Sequence, residues 1–115
     1  MSERKWVFLL TDILERIDRV NSYLAGFTYE EFLQDGKTQD AVVRNLEVIG
    51  EAARFIPEDI RQRHPEVPWP QMIALRNRLI HGYFVVDYEI VWDIVTNELP
   101  ALRKHLEEIL EESGS

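Results

Sequence analysis

Apolar residues recur along most of the chain at steps of three and four. Trp6, Leu10, Ile13, Ile17, Val20 and Leu24 trace one stripe, which predicts a helix over about 3–24, stopped by Gly26. Thr28-x-x-Glu31 has the spacing of a capping box and predicts a short helix ending near Asp35-Gly36. A second stripe, Val42, Leu46, Ile49, Ala53 and Ile56, predicts a helix over about 38–55. Pro57 opens a short helical turn to about residue 63. Residues 64–69 hold two prolines within four positions and read as a loop. Pro70 suits the first position of another helix over about 70–82, with Gly82 as its stop. Asp87 caps a last helix reaching about residue 111 on Val91, Val95, Leu102, Leu106 and Ile109. Pro100 lies inside that helix and should kink or reset it. Only "YFVVDY", residues 83–88, hints at a strand, and it is too short and isolated to build a sheet. The pattern implies an all-α antiparallel bundle of about four main helices plus short ones. We read one domain over 1–112 and a polar tail at 113–115.

A length of 115 residues suits one modest core. With 45% apolar and 30% charged residues the composition is that of a globular protein and not of a disordered one. No apolar run approaches the ~20 residues that span a bilayer. The start, MSERKWVFLL, is basic and then apolar, but Asp12 and Glu15 follow with no small-residue cleavage site, which argues against a signal peptide. The absence of cysteine excludes disulfides and thiolate metal sites and fits a cytoplasmic protein.

Charge sharpens the picture. A net charge of −8 argues against a broad nucleic-acid coat. Yet residues 60–86 hold Arg61, Arg63, Arg76 and Arg78 against Glu66 alone, a sum of +3 that leaves −11 for the rest. On a helical wheel started at Pro70, Met72, Ile73, Leu75, Leu79 and Ile80 form the apolar arc, and Arg76 falls near its centre. Asn77 and His81, four apart, share one edge, and Tyr83 returns toward Arg76. A guanidinium in an apolar arc is costly unless it is paired. Either Arg76 pairs with a core carboxylate such as Glu51, or this face lines a cleft that takes an anion. His81 as a helix-end residue favouring the dipole is the plain alternative to a catalytic role.

Arg76-x4-His81-x-Tyr83, with Asn77 directly after the arginine, resembles the signature of the HEPN superfamily, in its HepT-like branch. "RNLEVIGEA", residues 44–52, and "LPAL", residues 99–102, resemble that branch in order and spacing. The resemblance implies a dimeric helical fold and a metal-independent ribonuclease toxin, without cofactor, neutralised by a partner nucleotidyltransferase antitoxin of the MntA type. It also implies that Arg76, Asn77 and His81 are catalytic and that Tyr83 is where the partner attaches AMP. The chemistry is coherent. An imidazole, whose ordinary pKa is ~6.5, moves protons at neutral pH, and a guanidinium holds phosphate and added charge. One histidine is few for both acid and base, and a twofold dimer would place two motifs at one cleft. The alternative is a non-catalytic HEPN module that binds a nucleotide or the transferase through Arg76.

Further residues bear on the site. Arg44, Glu47, Glu51 and Arg54 step along one helix; Glu47 and Arg54 read as a solvated ion-pair ladder, while Arg44, Glu51 and Arg78 are candidates for support. Asn45 falls beside Ile49 and Ala52, where a buried amide must be hydrogen-bonded, so it is a supporting residue or a packing clamp. Gly50 in mid-helix suggests a close helix crossing. His64 and His105 lack a metal-ligand pattern, and Trp69 and Trp92 read as core or interface anchors.

Overall fold

The computed structural model describes residues 5–83 and 85–114; the expected start of the first helix at residue 3 lies outside them. Three long helical runs carry the fold. Helix α1 (Lys5–Leu24) buries Trp6, Leu10, Ile13, Ile17, Val20 and Leu24, the whole of its stripe. Helix α2 (Tyr29–Leu33) opens on the Thr28–Glu31 capping box, with both reciprocal bonds made. Helix α3 (Gly36–Arg54) starts two residues earlier than its stripe suggests, because the Asp35 carboxylate accepts the Thr38 N–H at 2.9 Å. Helix α4 (Glu58–Arg63) follows Pro57.

Helix α3 is the central element, with α1 on one flank and helices α5 (Trp69–Ile73) and α6 (Leu75–Leu79) on another. Burying each of its leucines and isoleucines is worth roughly 1.5–3 kcal/mol. Asn45 is the one buried polar side chain of the core among the described residues. Its amide donates to the Ala41 carbonyl at 2.8 Å and accepts from Arg16 of α1 at 3.2 Å. It therefore clamps α1 to α3.

The third run begins with α7 (Tyr88–Asp93), capped by Asp87, widens to a π-helical turn over Ile94–Glu98, and continues as α8 (Leu99–Gly114). The widening has a local cause. Pro100 offers no N–H, and its ring would crowd the preceding turn, so the chain takes one loose turn before it. The helix then runs into the expected tail, through Gly114. Phe32 packs against Tyr88 and Trp92, with ring centroids 5.9 and 5.5 Å away, tying α2 to α7. Arg103 grips Asp18 at 2.8 Å and links α8 to α1.

The expected helix over 70–82 is different. It breaks at Ala74, resumes for five residues, and ends at Leu79. Ile80–His81 (β1) and Val85–Val86 (β2) then pair antiparallel, Ile80 with Val86 and His81 with Val85. Of the hint of a strand in residues 83–88, Val85–Val86 pair in this ribbon, and Phe84 lies outside the described residues. No described helix is long and apolar enough to cross a membrane.

Candidate active site

The break at Ala74 places the motif. Gly50 of α3 lies so close to the end of α5 that a Cβ there would stand 2.8 Å from the Met72 carbonyl oxygen. Helix α5 thus rests on bare α3 backbone, and the buried face continues across the break as Trp69, Met72, Leu75 and Leu79. Leu75 and Leu79 point into the core, and the Arg76 side chain turns out, 62% exposed. Arg76 is therefore not in a buried arc; the expected arc was centred too far toward Ile73 and Ile80, which are only partly buried. Ile80 is extended (φ −116°, ψ 122°), so His81 stands on a strand and not on a helix. Gly82 has φ +58° in the hairpin turn, a conformation that favours glycine.

The turn brings His81 to Asp87. Its Nε2 lies 3.8 Å from Asp87 Oδ2. The other oxygen of Asp87 accepts the Ile90 N–H at 3.2 Å, and the Asp87 backbone N–H donates to the Leu79 carbonyl at 2.8 Å. One carboxylate therefore caps α7 and faces the imidazole, and it is itself anchored at both ends of the hairpin.

Beside the motif, α3 and α5–α6 enclose an open cleft of about 550 Å³. Arg44, Glu47, Glu51, Arg54, Phe55, Arg76 and Asn77 supply its polar and aromatic lining, and Gly50, Ala52 and Ile73 contribute to its walls. The cleft gathers Arg76 and Asn77 with the supporting candidates Arg44 and Glu51. It does not include His81, Arg78, Asn45 or Tyr83. Tyr83 sits in the hairpin turn, 88% exposed.

The cationic side chains of the motif each face a carboxylate from outside residues 60–86. Glu98, in the π-helical turn, binds Arg78 with two bonds of 2.6 and 3.0 Å. That hydrogen-bonded pairing raises the arginine's pKa; partial burial works against it, and the charges of Glu98 and Asp93 add to the rise. Arg78 is thereby pinned. Arg76 meets Glu47 at 3.7 Å, too long for a hydrogen bond. Glu51 turns to Arg54 at 3.6 Å instead of Arg76. Among the described residues Arg44 forms no ion pair. The loosely held cations of the cleft are thus Arg76, Arg54 and Arg44.

A family model described as "Ribonuclease HepT-like" matches residues 13–109. The chain belongs to the HepT-like family. A protein of Methanocaldococcus jannaschii named "Putative RNase" is 50% identical over 103 residues, covering 90% of this chain and 85% of its own. A "Probable ribonuclease HepT" of Thermococcus cleftensis is 43% identical over 100 residues, covering 87% and 91%. A "Putative RNase" of Caldanaerobacter subterraneus is 38% identical over 102 residues, covering 89% and 91%. No solved structure matches the chain.

The resemblance drawn from the Arg76–Tyr83 motif therefore holds at the level of the HepT-like family, and the all-α fold holds with it. Four residues that sequence reasoning did not assign to the site stand out. Asp87 had been read only as a cap, Glu47 only as a ladder residue, Glu98 not at all, and Phe55 only as a helix end. Asp87 alone left a signal, as a cap six residues after the histidine and beyond Gly82. Among the described residues no group of three or more His, Asp or Glu side chains could hold a metal ion. What the HepT-like site has is loosely held arginines, an amide, and an imidazole facing a carboxylate.

Proposed function

We propose that this HepT-like chain is a metal-independent endoribonuclease, the cytoplasmic toxin of a toxin–antitoxin module. The observation that carries the reading is the division of labour in the motif. Arg78 is locked to Glu98, while Arg76 is exposed and only loosely paired, and His81 faces Asp87 at 3.8 Å without a hydrogen bond. Arg76 would exchange Glu47 for an RNA phosphate, with Asn77 donating to a second phosphate oxygen. The 2′-hydroxyl oxygen attacks the adjacent phosphorus while an imidazole takes its proton. The bond from phosphorus to the 5′-oxygen breaks, and that oxygen leaves with a proton from an imidazolium. The products are a 2′,3′-cyclic phosphate and a 5′-hydroxyl. Asp87, 3.8 Å from the imidazole Nε2, is placed to orient His81.

His81 does not line the cleft that holds its own Arg76, which supports a homodimer in which two motifs share one site. The same observation favours the second reading, a non-catalytic module that binds RNA, a nucleotide or the transferase through Arg76. The partner in either case is a nucleotidyltransferase of the MntA type, and the exposed Tyr83, two residues from His81, is the site at which it attaches AMP. The deciding experiment is induced expression of the parent chain beside His81→Ala, with purified protein assayed on RNA in chelator. Growth arrest and chelator-resistant cleavage by the parent alone support the nuclease. Equal cleavage by His81→Ala removes its assigned role, and no arrest or cleavage by either favours the binding module.

A further inference from the structure

We infer that Phe55 is a stacking platform for one unpaired base of the RNA, seated in the cleft beside Arg76, with Arg44 on a neighbouring phosphate; this rests on the ribonuclease reading above. Phe55 is the residue that ends α3, and its backbone N–H is satisfied by the Ala52 and Ala53 carbonyls. Its position is therefore fixed by a long helix, yet 56% of it is exposed. A phenyl ring left open at the end of a well-packed helix gains nothing from water. It lines a cleft in which five charged side chains stand beside Val48, Ala52 and Ile73.

Sites for single-stranded nucleic acid combine a flat aromatic face with cations that follow the backbone. This cleft has both. Arg44 makes no ion pair among the described residues, and Arg54 and Arg76 meet their carboxylates only at 3.6 and 3.7 Å. A phosphate can compete for all three. Glu47 and Glu51 repel a second phosphate inside the cleft but accept well from the N–H groups of a base edge. The cleft thus suits one base flanked by phosphates and not a continuous run of phosphates. Its volume, about 550 Å³, lies within the range of small-molecule sites.

Base pairing would block this arrangement. In an A-form duplex the bases are stacked inward and the major groove is too narrow for side chains to read. The substrate class is then single-stranded or bulged RNA, and Phe55 sets that choice.

The test uses the full chain and a set of RNA oligonucleotides, each with one 2-aminopurine. Binding is read in the His81→Ala background and cleavage in the otherwise unaltered chain. For the parent residue, fluorescence should be quenched at one position on binding. Phe55→Leu should lose the quench and raise KM on single-stranded RNA by roughly five- to a hundredfold, with kcat little changed. Phe55→Tyr should restore both, and neither variant should change the thermal melt. A paired version of the same RNA should be cut poorly by all of them. Unchanged quench and KM in Phe55→Leu, while the parent cleaves normally, would overturn the inference and leave the ribonuclease reading intact. Loss of self-association in Phe55→Leu with the quench preserved would assign the ring to an interface between copies, and also overturn it. If the parent neither binds nor cleaves any oligonucleotide, the ribonuclease reading fails first and this inference falls with it.

Discussion

Replacing Gly50 by alanine should weaken the fold and the site together, although the residue is in mid-helix and alanine is the better helix former. Considered alone, the helix would gain about 1 kcal/mol from the change. The added methyl, however, would stand 2.8 Å from the Met72 carbonyl oxygen and 3.4 Å from the Leu75 Cβ. An ordinary carbon–oxygen approach is about 3.3 Å, so something must move by about 0.5 Å. The obstacle is backbone, which cannot rotate away as a side chain can. Overpacking of this kind costs about 1–3 kcal/mol, and the balance is a net loss of about 0–2 kcal/mol. For a chain of this size each kcal/mol lowers Tm by about 4 °C. The segment that must yield carries the break at Ala74, and Arg76 sits two residues beyond it. Activity should therefore fall more than stability alone explains. Gly36→Ala is the internal control, since it lies on the same helix and a Cβ there meets nothing within 4 Å. Urea denaturation of both variants, followed by circular dichroism and paired with cleavage rates, gives the comparison. If Gly50→Ala gains stability as an unobstructed site would, and cuts RNA at the parent rate, the close approach does not set the geometry of the motif.

The two arginines of α6 should separate. Arg78→Ala should cost about 1–2 kcal/mol, between the values for exposed and fully hydrogen-bonded pairs, because it strands Glu98 in a part-buried position; Arg76→Ala should cost less than about 0.5 kcal/mol yet abolish cleavage, and denaturation curves that rank them the other way would refute the division of roles. Tyr83→Phe should remain toxic when co-expressed with the cognate transferase and ATP, with no added AMP mass on the chain; AMP found on Tyr23 or Tyr88 of the parent would sink the assignment.

The long helices were legible because each buries one continuous stripe, and a stripe is a local property of sequence. The capping residues Thr28 and Asp87 were legible for the same reason, since a cap acts over three residues; Asp35, read only as the end of the preceding helix, was not. The broken helix was not. At the break the Met72 carbonyl stands against Gly50, which lies on another helix. Sequence showed that Gly50 invites a close crossing but not which segment crosses there. The wheel counted Ile73 and Ile80 as core, although both are only partly buried, and so centred its arc on Arg76. A two-residue strand pairing is likewise decided by a ladder and not by alternation.

The acidity of the chain, which reads at first as an objection to RNA as substrate, is part of how the site is made. The positive window of the sequence is nearly cancelled in space, because Glu47, Asp87 and Glu98 fold onto it from outside. They do not cancel it evenly. Glu98 holds Arg78 with two short bonds and withdraws it from ligand binding. Glu47 stays 3.7 Å from Arg76 and leaves that cation available to a better anion. A surface that is net negative gives no long-range steering toward nucleic acid, so binding must come from short-range fit at the few loosely held cations. That is a poor design for coating RNA and a suitable one for selecting a single exposed nucleotide. On the proposed reading the motif supplies the reactive groups, and the carboxylates from outside it determine which of them remain available.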